Sequence, residues 1–213
     1  TAAEHLKEAV PVLGRMCQAL GLRSFPAGKS WAEDREERAL VAFLKHSTVP
    51  VINMESASGH PCQALADMMT IKEHINPKGK NFLLAWDPHI KALPMAVPNS
   101  FALAAAQFGH DLRIAHPVGY ELDDELRAEI ESQAAANGGS VEWTDDVNAA
   151  FDGVEVVYAK SWGGNQFYGN THGDIEFRQD LRRDWIVDEQ KMARSENAIF
   201  MHCLPVRRNV IVT

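Results

Sequence analysis

Within eight residues, His202-Cys203-Leu204-Pro205-Val206-Arg207-Arg208-Asn209 gathers an imidazole, a thiol, two guanidinium groups and an amide. The apolar run Asn197-Ala198-Ile199-Phe200-Met201 ahead of it reads as a buried parallel strand. The polar loop therefore sits at the carboxyl end of a strand, where ligands bind in open α/β sheets. Pro205 fixes φ and offers no N–H, so neighbouring carbonyls are free to point away from any ladder. A second set lies far upstream in His60-Pro61-Cys62-Gln63. Proline is favoured at the first helical position, so His60 and Gln63 fall three apart at a helix N-terminus, beside free backbone N–H groups. That placement suits polarising a carbonyl oxygen and holding a carboxamide-like nitrogen.

The elements that must position these groups alternate strand and helix. Residues 4–17 have helical periodicity, with Leu6, Val10, Leu13 and Cys17 on one face and a kink or restart expected at Pro11. A short strand ends at Arg23-Ser24-Phe25-Pro26. Ser30 and Glu33 form a capping box, and the helix they open is expected to run to about Lys45. Val49-Pro50-Val51-Ile52-Asn53 reads as a buried strand ending in Met54-Glu55, and the helix begun at His60 ends in a hinge at Asn76-Pro77-Lys78-Gly79-Lys80. Beyond it come strands at 82–86, 112–116, 140–143 and 154–158, with helices at 99–108, 122–136 and 145–151 between them. A long polar loop is expected from Lys160 to about Asp184. This alternation argues for a parallel, doubly wound sheet. It points His89, His116, Lys160 and His202 toward one edge, His116 as a bystander.

The chain has 213 residues, 46% of them hydrophobic, enough for one large domain or two small ones. Its net charge of −8 gives no sign of nucleic-acid binding. No run of 18 apolar residues marks a membrane span, and Thr1-Ala2-Ala3-Glu4-His5 lacks the basic-then-apolar pattern expected of a signal peptide. Cys17, Cys62 and Cys203 are odd in number and far apart, and no CxxC or HExxH metal pattern occurs, so reduced thiols in a cytoplasmic protein are expected.

The two loops together resemble the aspartate/ornithine carbamoyltransferase family. His60-Pro61-Cys62-Gln63 is similar to its His-Pro-x-Gln carbamoyl motif, and His202-Cys203-Leu204-Pro205-Val206-Arg207-Arg208-Asn209 looks like the substrate loop of the branch acting on N-acylated ornithine. The resemblance runs over nearly the whole chain. It implies an α/β fold of two domains with parallel sheets flanked by helices: an incomplete carbamoyl-phosphate domain over 1–59, an interdomain helix and hinge over 60–78, and a Rossmann-like N-acylornithine domain over 79–213. The family's Ser-x-Arg-Thr-Arg phosphate loop and closing helix are not in the sequence, so a fragment is expected, inactive and weakly associating by itself.

By the resemblance, Arg23, His60, Gln63, Cys203 and Leu204 would handle carbamoyl phosphate, and Glu55, His89, Lys160, Arg207, Leu204 and Ala3 the acylornithine. No metal or organic cofactor is implied, and the intact chain would be a cytoplasmic homotrimer of the arginine pathway. Lys160-Ser161-Trp162-Gly163 stands where plain ornithine enzymes carry Ser-Met-Gly, and a free α-amino group would sit poorly near Lys160. The acetyl type has Glu at the place of Ala3 and Lys at the place of Ile211; small or uncharged residues there favour a succinyl tail, with Arg207 and Arg208 as its cations. A Rossmann oxidoreductase would share the sheet, but no GxGxxG follows a strand. A non-catalytic binding paralogue should have lost some of His60, Gln63, Cys203 or Arg207, and all are present.

Overall fold

The computed structural model describes residues 4–75 and 81–213. The expected hinge at 76–80 and the substrate contact Ala3 lie outside the described residues. The first part of the chain runs α1 (Leu6–Gly14), β1 (Leu20–Arg23), α2 (Trp31–Asp34), α3 (Arg38–His46), β2 (Val51–Glu55) and α4 (Pro61–His74). β1 and β2 form a two-stranded parallel sheet, with Arg23 opposite Glu55 at its carboxyl end.

Several sequence expectations change here. α1 continues through Pro11, which forfeits one intrahelical hydrogen bond, and it stops before Cys17. The helix opened by Ser30 breaks after one turn. Asp34 turns back to accept the amides of Ala27 and Gly28 at 2.8 Å each, and Glu37 adopts a left-handed φ of 48° while its carboxylate takes the Ser58 amide. β2 is not a buried strand: Ile52 and Met54 alternate outward, about half exposed.

The second part holds β3 (Asn81–Trp86), α5 (Ala96–Gln107), β4 (Asp111–Ala115), α6 (Asp124–Asn137), β5 (Val141–Thr144), β6 (Val156–Lys160), α7 (Thr171–Trp185), α8 (Glu189–Met192) and β7 (Ile199–Met201). The helix expected at 145–151 is one 3₁₀ turn, Ala149–Phe151. α5 starts at Ala96, because a proline in the first turn, Pro98, lacks an N–H that would have had no partner there anyway. The sheet order is β5-β4-β3-β6-β7, all parallel, with helices packed against it. β3 and β6 are buried almost end to end, as a central parallel strand demands. β7 is an edge strand and only half-buried. Strand order reverses between β3 and β6, so the crevice above their carboxyl ends is the topological switch point.

The long loop expected after Lys160 is instead largely α7. Asn170 caps it by accepting the Gly173 amide. Its one apolar stripe, Phe177-Leu181-Trp185, is hidden in a sequence dominated by charge. Two of those charges are buried as a pair, Asp174 and Arg178. The Arg178 guanidinium donates to Asp174 Oδ2 at 3.0 and 2.6 Å, to the carbonyls of His89, Lys91 and Trp162, and to Ser161 Oγ. It lies 5.5 Å from the ring centroids of both Trp86 and Tyr120. One side chain thus ties the loop after β3 to the loop after β6. Removing one partner of a buried, hydrogen-bonded pair strands the other, so Arg178→Met in the intact protein should lower the unfolding free energy by about 3–5 kcal/mol. Denaturant titration checks this; a loss inside the ~0.5 kcal/mol typical of surface substitutions would remove Arg178 from the scaffold.

Candidate active site

The first wall of the site is built on β1, β2 and the start of α4. Arg23 Nε and Nη2 both donate to Glu55 Oε2, at 2.9 and 2.6 Å, at the carboxyl end of the small sheet. Glu55 is buried while Arg23 is half exposed, so this is a screened pair that a stronger anion can reopen. His60 is the N-cap of α4, and its Nδ1 accepts the Gln63 amide at 3.3 Å. In the neutral ring that bond assigns the proton to Nε2, which lies 3.8 Å from Glu55 Oε2. Gln63 Nε2 donates to Asp67 Oδ1 at 2.9 Å, which leaves its carbonyl oxygen as an acceptor. Burial raises the Asp67 carboxyl to about 6, against the lowering bond from Gln63.

The second wall comes from the carboxyl ends of β6 and β7. Lys160 is the last residue of β6, pairs in register with Trp86, and is buried. Burial lowers its pKa, while Cys203, Asp87 and Glu55 pull it back up. His202 Nδ1 accepts the Leu204 amide at 2.8 Å, and burial with the Lys160 charge pushes the imidazole down to about 4, so it is neutral at pH 7. Burial pushes the Cys203 thiol up, with Lys160 opposing. Leu204 holds a left-handed φ of 52° and precedes a cis peptide bond to Pro205. A branched residue adopts that φ only when its surroundings impose it.

The two walls are fixed to each other. Ser100 Oγ on α5 accepts the His60 amide at 2.7 Å, and Asn99 donates to the Ser58 carbonyl at 3.0 Å. Farther out, Trp31 Nε1 donates to Asp123 and the Tyr168 hydroxyl to Asp34. Between the walls lies a cleft of about 550 Å³ lined by Arg23, Glu55, His60, Gln63, Lys160, Cys203 and Leu204, with Pro94 and Val97. A second hollow beside it has mainly apolar walls, and its one carboxylate, Asp174, is already held by Arg178 and Tyr120. The chemistry therefore belongs to the cleft between the two walls.

Not every expected residue reaches it. His89 is buried behind the strand ends, its pKa lowered by burial and by the charges of Arg207 and Lys160. Arg207 is exposed and does not line the cleft, and Arg208 is exposed as well. Ile211 is 1% exposed and packs in the core, its carbonyl accepting the Val187 amide, so it opens no room for a ligand. His116 faces Trp143 at the far side of the sheet. Sequence reading missed Asp67, Asp87, Pro94 and Val97. Asp67 was findable as the i+4 partner of Gln63; the others carry no local signal. Among the described residues, no group of three His, Cys, Asp or Glu is placed to hold a metal ion.

The thiols should differ in reactivity. Cys17 and Cys62 are exposed, whereas Cys203 is part-buried with its pKa raised above the ordinary 9.0. Only the thiolate is alkylated. Iodoacetamide at about pH 7.5 should therefore modify Cys203 last, because burial both disfavours its thiolate and limits access to the sulfur. Mass spectrometry of tryptic peptides reads the order; Cys203 reacting first would contradict the burial argument.

Comparison with known proteins places this geometry in a family. Residues 1–73 match the aspartate/ornithine carbamoyltransferase carbamoyl-P binding domain, and residues 78–213 its Asp/Orn binding domain. The chain is 42% identical to an N-acetylornithine carbamoyltransferase of Xanthomonas campestris pv. campestris over 214 residues, covering 99% of the chain and 62% of that protein. It is 40% identical to an N-succinylornithine carbamoyltransferase of Bacteroides fragilis over 210 residues, covering 99% and 61%. A crystal structure of acetylornithine transcarbamylase complexed with acetylcitrulline matches with a TM-score of 0.94 at 42% identity, over 99% of this chain and 64% of that one. A point mutant of N-acetyl-L-ornithine transcarbamylase complexed with carbamyl phosphate and N-succinyl-L-norvaline matches equally well, with a TM-score of 0.94. The chain thus spans a little under two thirds of the length of these relatives, and over that span it belongs to the aspartate/ornithine carbamoyltransferase family.

Proposed function

We propose that the intact protein moves the carbamoyl group of carbamoyl phosphate to the side-chain amine of an N-acylated ornithine, giving N-acylcitrulline and phosphate, in arginine biosynthesis. The observation that carries this reading is the meeting of the Arg23–Glu55 pair, His60 and Gln63 with Lys160 and Cys203 across one cleft. The relatives, an N-acetylornithine and an N-succinylornithine carbamoyltransferase, point the same way.

In this proposal the amine lone pair attacks the carbamoyl carbon, a tetrahedral oxyanion forms, and the bond to phosphate oxygen breaks as the leaving phosphate takes the amine proton. The reaction needs positioning and preorganised donors more than covalent help. His60 Nε2–H and the Arg23 guanidinium donate to the carbonyl oxygen. Gln63 Oε1 and the Leu204 carbonyl accept from the carbamoyl nitrogen. For Arg23 to serve, it must leave Glu55, which frees that carboxylate for the acceptor substrate. The Lys160 ammonium takes the α-carboxylate, and acylation removes the α-amino charge that would repel it. Cys203, a neutral thiol, lies beside the attacking amine. His89 and Arg207 do not line the cleft, and the proposal keeps them only as acceptor contacts made once the substrate is bound. The reading assigns no metal or cofactor. It divides the chain at 1–59, 60–78 and 79–213, and extends to a homotrimeric, cytoplasmic enzyme.

His60→Ala tests the oxyanion role. Loss of one preorganised donor should lower kcat by about 10²–10³ while KM for the acylornithine changes little. A variant within about threefold of the parent would take His60 out of the machinery.

The acyl group is proposed as succinyl, on Ala3 alone now that Ile211 lies in the core. A Glu at position 3 would set a like charge against a succinyl tail, and such a contact costs several kcal/mol. Ala3→Glu should depress kcat/KM for N-succinylornithine by tens-fold or more, each ~1.4 kcal/mol being a factor of ten, and spare N-acetylornithine. Equal loss on both would make Ala3 a packing residue.

A further inference from the structure

Asp87 follows directly on β3, at the switch point, and plays no part in the reaction described above. It is 0% exposed, and neither carboxylate oxygen has a well-formed hydrogen bond, the His89 amide being the one backbone donor near enough to lower its pKa. Its amide donates to the Lys160 carbonyl at 3.3 Å, which sets the two residues side by side on adjacent strand ends. A buried carboxylate without well-formed hydrogen bonds persists only beside a compensating cation.

The cations near it are Lys160 and Arg178. Arg178 already forms a pair with Asp174, and its N–H groups go to that carboxylate, three carbonyls and Ser161. Lys160 is therefore the counter-charge left to Asp87. Seen from Lys160, every other group that faces it is neutral or already paired. Glu55 is held by Arg23. Cys203 is kept protonated by burial, His202 is neutral, and His89 is held toward neutrality by burial. Arg178 is balanced by Asp174, and Arg207 sits in solvent beyond His89.

We infer that Asp87 is a positioning residue of the acceptor half of the cleft, holding buried Lys160 in its ammonium form so that the cleft binds a carboxylate into the alkaline range. This rests on the proposed acylornithine site. The direction of the pH effect follows from the two groups. Burial raises Asp87 to about 7, with Lys160 and Arg178 opposing, and burial lowers Lys160. Below about 7 Asp87 becomes neutral, but Lys160 needs no help there. Above it Asp87 is a carboxylate, and its field retains the Lys160 proton that burial would otherwise expel. Removing the Asp87 charge therefore costs nothing at low pH and moves the loss of carboxylate binding downward.

The test compares parent and Asp87→Asn in the full-length protein, measuring KM for N-acetylornithine, and N-acetylcitrulline binding by calorimetry, from about pH 6 to about pH 10. The variant should match the parent near pH 6 and lose affinity at least about one pH unit earlier on the alkaline side, the usual scale for removing a nearby opposite charge. KM for carbamoyl phosphate should stay constant. Asp87→Ser, which also removes the charge, is measured alongside in case the amide does not fold. Superimposable pH profiles, or a uniform loss with the midpoint unmoved, would overturn the inference and make Asp87 a packing residue. A parent enzyme inert toward every acylornithine would instead overturn the functional reading.

Discussion

A guanidinium sealed inside a domain must find an acceptor for each N–H, and Arg178 finds them in the two loops that frame the cleft. Its bonds to the His89 and Lys91 carbonyls fix the segment after β3; those to Ser161 and Trp162 fix the segment after β6. Trp86 and Trp162 extend the lattice through their indole N–H groups, to the Trp162 and Tyr120 carbonyls. Lys160 therefore projects from a strand end whose continuation cannot move independently. On the opposite wall, the cap of α4 is tied to α5 through Ser100. The proposed transfer between two bound substrates would require this kind of supported geometry.

The same cleft is electrostatically quiet at rest. Arg23 and Glu55 neutralise one another, and His202 and Cys203 are uncharged near pH 7. What remains is Lys160 with Asp87 behind it. In the proposed reaction an incoming dianion would take Arg23 from Glu55, and the released carboxylate would face the acceptor substrate. The first-domain wall supplies the exchangeable cation and the second-domain wall a fixed one.

The parallel sheet was legible from sequence because β3 and β6 are short, apolar and bounded by polar turns. The His60-Pro61 helix start was legible from proline at its preferred position. β2 was misjudged as buried because its apolar run says nothing about how many layers cover it. α7 was missed because its buried face holds Asp174 and Arg178, and an ion pair inside a core looks in sequence like a solvated face. Of the candidate site, the strand-end and helix-start residues were readable from type and position. Asp87 was not: an Asp-Pro pair after a strand carries in sequence the mark of an exposed turn, and its burial depends on Arg178 being committed to Asp174. Ile211 carried the reverse error, a position matched to a binding residue that the fold turns inward.

The central claim is that this cleft takes an ornithine whose α-nitrogen is acylated, because Lys160 stands where a free α-ammonium would be repelled. The direct test is carbamoyl transfer by the intact protein from carbamoyl phosphate to N-acetylornithine, N-succinylornithine and free ornithine, measured as kcat/KM. The account expects both acylated substrates to exceed free ornithine by at least about a hundredfold, equivalent to about 2.7 kcal/mol of differential transition-state binding. Free ornithine turned over as efficiently as either acylated form would contradict it.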